Sequence, residues 1–186
     1  MALTLIKTLT ASSSATLEFV DGASDVVFDN TYSAYEFHYV SMHPATASEF
    51  LFQVNATDDA GGDYDTSLIT NTFYRAELAE SGSSGNVSYS AGNDQAQSAD
   101  YCKLIQSVDN EAYDSCSGIL TLFNPSSTTF IKCFKARTNA THHSAEYTMD
   151  AFCQGYINDT TAIDEISFKF TSGNIDAGTI KMFGVS

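Results

Sequence analysis

The chain has 186 residues, enough for one hydrophobic core of ordinary size and short for two. Its 43% hydrophobic and 12% aromatic content, with only two prolines, excludes a disordered chain. Eight basic against 23 acidic residues leave a formal net charge of −15, which argues against nucleic acid or an anionic membrane as a partner and suits a protein that stays soluble at high local concentration.

The first segment, residues 1–14, places Lys7 behind a short apolar stretch and has no apolar run of secretory length, so it is not expected to be a signal peptide. Nothing approaches the roughly 18 apolar residues of a membrane-spanning helix. From there the apolar residues recur with period two, the mark of strands with one buried face. Strands are predicted over 3–9, 15–20, 25–28, 35–40, 50–54, 68–78 and 85–90. Within 35–40, Tyr35, Phe37 and Tyr39 share one face, and Glu36, His38 and Val40 the other. Phe50, Phe52 and Val54 alternate in the same way with Leu51 and Gln53. The stripe Ala96, Ala99, Leu104 and Ile105 predicts one helix over 94–106. Strands resume over 118–123, 128–135, 151–157, 163–170 and 177–183. Turn residues separate them: Asp21-Gly22, Gly61-Gly62, Gly82 to Gly85, Asn124-Pro125 and Ser172-Gly173-Asn174. The whole, residues 1–186, is expected to be an all-β protein, a single antiparallel β-sandwich of jelly-roll type.

Candidate chemistry is sparse. Cys102, Cys116, Cys133 and Cys153 are spaced by 14, 17 and 20 residues without a CxxC pair, which points to thiols packed in strands and leaves disulfide pairing open. His38, His43 and the adjacent His142 and His143 are too scattered for a metal box. The best metal candidate is 55–65, where Asp58, Asp59, Asp63 and Asp65 surround two glycines and offer hard oxygens for calcium; the favoured reading is an acidic hairpin turn between strands 50–54 and 68–78. The carboxylate pairs Asp164 with Glu165 and Glu77 with Glu80 are read as solvation of strand ends, and the chain has no tryptophan to stack a sugar ring. Asn55, Asn86, Asn139 and Asn158 fit the glycosylation pattern by chance in an Asn/Thr-rich chain. No catalytic residue, cofactor site or metal site is assigned, and no enzymatic activity is expected.

The C-terminal segment 162–185 carries Ser172-Gly173-Asn174-Ile175 and then Gly178-Thr179-Ile180-Lys181-Met182-Phe183-Gly184. This pattern resembles the ending of a group of structural proteins from tailed phages of marine bacteria. His43-Pro44-Ala45-Thr46, Gly61-Gly62-Asp63-Tyr64, Thr72-Phe73-Tyr74-Arg75-Ala76 and 122–129 extend the resemblance over most of 17–186. It implies a virion protein made in the host cytoplasm. The expected role is a capsid decoration or cement protein on the outer capsid surface, a homotrimer held on the major capsid protein, with residues 1–14 as a docking arm. The alternative is a tail-fibre or receptor-binding module that recognises glycan through Tyr64, Tyr89 and Tyr113.

Overall fold

A computed structural model describes residues 2–62, 64, 66–142 and 146–186. Strands account for 61% of the described residues. The four-stranded sheet consists of β2 (Leu17–Val20), β4 (Ser48–Ala56), β8 (Cys102–Val108) and β12 (Ile163–Phe170), in the order β2-β12-β4-β8. The nine-stranded sheet contains β1 (Leu3–Thr10), β3 (Ala34–Pro44), β5 (Ile69–Ala79), β6 (Gly85–Tyr89), β7 (Gln95–Ser98), β9 (Cys116–Phe123), β10 (Lys132–His142), β11 (Tyr147–Ile157) and β13 (Ile175–Val185). Its order is β1-β13-β3-β9-β10-β11-β5-β6, with β7 also paired to β5. All pairings are antiparallel.

The chain changes sheet on entering and on leaving each of β2, β4, β8 and β12. The half-sheets β1-β13-β3-β9 and β2-β12-β4-β8 therefore face one another in the strand order of a jelly roll. Two insertions, β5–β7 and β10–β11, both add to the edge beyond β9 and make one sheet wide and the other narrow. The core between them is aromatic: Phe37 lies 5.4 Å from Phe19 and 5.6 Å from Phe168, and Phe50 lies 5.4 Å from Tyr39. Burying each such ring contributes about 1.5–3 kcal/mol relative to exposure.

The closing signature does backbone work. Gly173 (φ 72) and Gly178 (φ 124) occupy the left-handed region that side chains avoid, the first in the turn before β13 and the second beside a register shift between β13 and β3.

Four expectations need correction. The helix over 94–106 is absent: β7 and β8 occupy it, and Gln97 at φ 53 breaks any right-handed helix. Residues 25–28 form no strand, because positive φ at Ser24 and Asp25 turns the chain while Val26 and Phe28 are buried from a loop. The strand expected at 128 begins at Lys132 and runs on to His142. Finally, residues 3–10 are no free arm. They pair with β13 from Leu3↔Val185 to Thr10↔Thr179 and form the sheet's edge strand.

Candidate functional site

The acidic segment after β4 is a crossover and not a hairpin, since β4 pairs with β12 and β8 while β5 lies in the other sheet. Carboxylate oxygens of Asp58 and Asp59 come within 4.8 Å of one another and of Asp159, a residue that sequence spacing did not suggest. Asp63 and Asp65 lie outside the described residues. Thr161 Oγ1 donates to Asp58 at 3.0 Å, and Thr66 donates to Asp59. A cation is already built in beside this group: Lys132, fully buried, donates from Nζ to the backbone carbonyls of Asp159, at 3.1 Å, and Thr161. Burial lowers the Lys132 pKa, and the charges of Asp159 and Asp58 oppose that shift. The cluster is thus matched by an internal ammonium.

The other candidates scatter. His38 Nε2 meets Glu36 at 2.8 Å, His43 donates from Nδ1 to the Asp114 carbonyl at 2.6 Å, and His142 Nδ1 lies 3.2 Å from Asp109; His143 is outside the described residues. Asp164 and Glu165 are engaged separately: Asp164 accepts from Asn55 Nδ2 at 3.4 Å, and Glu165 accepts from the Gly62 amide at 2.8 Å. Glu77 contacts Arg75 at 2.9 Å, while Glu80 lies in the turn after β5. Asn55, one of the glycosylation matches, is fully buried. The three tyrosines proposed for glycan occupy different places. Tyr64 is buried in the β4–β5 crossover, Tyr89 stands on edge strand β6, and Tyr113 lies between β8 and β9.

What the fold does assemble is the outward face of the wide sheet. β10 alternates without interruption: Phe134, Ala136, Thr138 and Ala140 point into the core, and Cys133, Lys135, Arg137 and Asn139 point out. Register then aligns one rung across seven strands, Lys181-His38-Ile119-Arg137-Phe152-Tyr74-Tyr89. Along it the Phe152 and Tyr74 rings stack 4.7 Å apart and 6° from parallel, and the Arg137 guanidinium sits 4.8 Å above Phe152. Asp150 fixes that guanidinium, accepting from Arg137 Nε at 3.0 Å and from Nη2 at 2.5 Å. His38 covers Phe183 at 4.7 Å. The next rung is Phe183-Glu36-Thr121-Lys135-Gln154-Thr72. Between the two rungs lies a recess of about 360 Å³ lined by Glu36, Ile119, Thr121, Lys135, Phe152 and Gln154.

This face mixes cationic, acidic and apolar side chains. Lys135, Arg137 and Lys181 project from it, and Glu36 and Asp150 are the acids interleaved with them on the two rungs and their neighbours. Val40, Ile119 and Phe123 are 50%, 40% and 38% exposed among them. Isolated exposed apolar residues are ordinary, but here they share one sheet face with the Phe152–Tyr74 stack and three cations, which makes that face a candidate interaction surface. Reading the sequence alone missed it because the inward partners on β10 are Ala and Thr, which carry little apolar signal; the alternation of long and short side chains over 133–140 was the available clue.

The middle of the narrow sheet's outward face is already covered. Gln53, Asn55 and Ser167 are fully buried there under the β4–β5 crossover and residues 99–101. Gln53 Nε2 donates to the carbonyls of Ser67, Ala99 and Asp100 at 3.2, 3.0 and 3.3 Å. A recess of about 450 Å³ remains at the margin of that roof, but its cations have partners: Lys103 meets Glu49 at 2.8 Å and Lys169 stands 4.0 Å over Tyr101. No family model matches this chain, and no curated protein matches it in sequence.

Proposed function

We propose that this chain is a non-enzymatic structural protein of a tailed-phage particle, a capsid decoration protein that cements the outer shell. One observation carries the reading: in a chain of net charge −15, one broad sheet face gathers aromatic, aliphatic and cationic side chains, and none of the described residues covers it. Aromatic residues and arginine are the types enriched in protein interface centres, where charged residues in general are depleted. A stable contact needs roughly 800 Å² from each partner, which a few strands of such a face supply. The resemblance of 162–185 to phage structural proteins supports a place in the virion; on the cement reading that place is the outer capsid surface and the partner is the major capsid protein. Association of three copies fits the symmetry-related junctions where a cement acts. The function is then mechanical, with apolar and hydrogen-bonding surface buried across neighbouring shell subunits.

The recess beside Phe152 favours a second reading, a receptor-binding module of the phage tail. Its combination of one aromatic side chain with Glu36, Thr121, Lys135 and Gln154 offers the mixed apolar and hydrogen-bonding wall that a sugar requires. Cryo-electron microscopy of purified particles separates the two. Hundreds of ordered copies on the shell, touching it through the wide sheet, fit cement. A few to a few dozen copies on the tail, with a positive glycan array, fit adhesion. Absence from particles overturns both.

A further inference from the structure

Cys102 opens β8 in the narrow sheet, and Cys153 lies in the middle of β11 in the wide sheet. Their sulfur atoms are 3.6 Å apart across the core although the residues are 51 positions apart in sequence. Both side chains are buried. The other two cysteines differ: Cys116 is buried on β9, and Cys133 is exposed on the outward face of β10. A disulfide holds its sulfurs about 2.0 Å apart, so closing this pair requires an approach of about 1.5 Å, the scale of a small side-chain rotation.

We propose that Cys102 and Cys153 are a built-in cross-link site, and that a small peroxide converts the pair into a disulfide joining the two sheets. Hydrogen peroxide suits the site because a buried pair admits a two-oxygen molecule more readily than a bulky disulfide reagent. Cys153 is the attacking sulfur. Asn71 Nδ2 donates to its Sγ at 3.4 Å, which holds that sulfur in place beside Cys102. The Cys153 thiolate attacks one peroxide oxygen; the O–O bond breaks, and hydroxide leaves as water with the thiol's proton. The Cys102 sulfur then attacks the resulting sulfenic acid, the S–O bond breaks, and a second water departs with the Cys102 proton. Two thiols are oxidised and one peroxide is reduced to two waters. Burial raises the Cys102 thiol, so the reaction is slow and passes through transient opening of the core.

The bond would fasten the β10–β11 insertion, which carries Lys135, Arg137 and Phe152, to strand β8 of the jelly roll. It does not depend on the particle reading above. A cross-link that forms only under oxidation leaves the chain adaptable while it folds among reducing thiols and stiffer afterwards.

The test uses the full chain purified under reducing conditions, treated with hydrogen peroxide without denaturant, alkylated, and digested without reduction. The expected result is loss of two hydrogen atoms and a joined peptide pair containing Cys102 and Cys153. The thermal midpoint should rise on the order of 10 °C and fall back with dithiothreitol. Cys133→Ser should retain both effects, whereas Cys102→Ser and Cys153→Ser should lose them. Because either serine variant perturbs the core, the joined peptide in the unaltered chain decides. If Cys102 and Cys153 still alkylate after prolonged treatment and later unfolding, or each oxidises alone to sulfinic acid, the proposal is overturned. Neither result bears on where the protein sits in a particle.

Discussion

The two outward faces of this sandwich handle the same problem in opposite ways. The narrow sheet buries its outer polar side chains, Gln53, Asn55 and Ser167, beneath the chain's own loops; Gln53 is satisfied by backbone groups, Asn55 donates to the Ala56 carbonyl, and Ser167 donates to Glu18. The wide sheet leaves Ile119, Phe123 and Val40 open among Lys135, Arg137 and Lys181, with no segment of the described chain lying over them. Polar atoms under a roof are structural, since each unmade bond costs about 1–3 kcal/mol. The exposed part of an apolar side chain contributes little to folding and is available to a partner. Substitutions on the first face should therefore damage the fold, and those on the second should damage association.

The largest stability effect is expected at Gln53. Replacing it with Ala removes the amide that holds Ser67, Ala99 and Asp100 and the oxygen that accepts the Val54 amide at 2.9 Å. A loss of about 2–4 kcal/mol should follow, measured by urea unfolding, together with faster proteolysis within 57–68. A variant that unfolds like the parent would mean that the roof is held by other contacts, and the contrast between the faces would fail there.

The complementary experiment charges the open face. Ile119→Asp with Lys135→Glu should leave the unfolding midpoint within a few degrees, because both side chains project into solvent. The same pair should lower occupancy on particles by tenfold or more, since it inverts the charge at the centre of the patch. Unchanged occupancy would move the contact surface elsewhere, with the exposed edge strand β1 as the next place to test.

How far this division is legible in the sequence depends on which signal each strand carries. Tyr35, Phe37 and Tyr39 are fully buried and Glu36, His38 and Val40 face out, as period two predicts. Along β4 the same rule fails for Leu51 and Gln53, which are buried too, because the roof over this face comes from distant segments that include Tyr64, Ser67 and residues 99–101, and no local pattern announces it. β8 resembles a helix in sequence because register shifts against β4 and a positive φ at Ser107 move Leu104, Ile105 and Val108 off period two. Of the candidate face, alternation alone assigns Glu36, His38 and Val40 outward. Arg137, Phe152 and Tyr74 become neighbours only through pairings between distant strands, which composition and spacing do not encode.

A smaller effect tests whether the aromatic rung is rigid before any partner arrives. Phe152 stacks on Tyr74 beneath Arg137, so Phe152→Ala should cost about 1 kcal/mol in stability through the lost ring pair. Tyr74→Ala in that background should cost less than Tyr74→Ala alone, and this non-additivity is the signature of the stack. Strict additivity would mean that the two rings merely lie near one another.

The smallest effect lies at the rim of the covered side and depends on pH. Asp164 is held above its ordinary pKa of 3.8, chiefly by burial, with the charges of Glu165 and Asp21 adding to the rise and the Asn55 hydrogen bond opposing it. A raised carboxyl takes up a proton on folding. The stability linked to it is therefore full below the unfolded pKa and is lost as pH rises through the folded one. An amide in place of the Asp164 carboxyl would not titrate, yet its oxygen can still accept from Asn55. Asp164→Asn should accordingly be more stable than the parent at neutral pH, by less than about 1 kcal/mol because the site is largely solvent-screened. The advantage should shrink as pH falls through the carboxylate range, followed by thermal unfolding across a pH series. An advantage that persists undiminished at low pH would place its origin in packing and not in the charge.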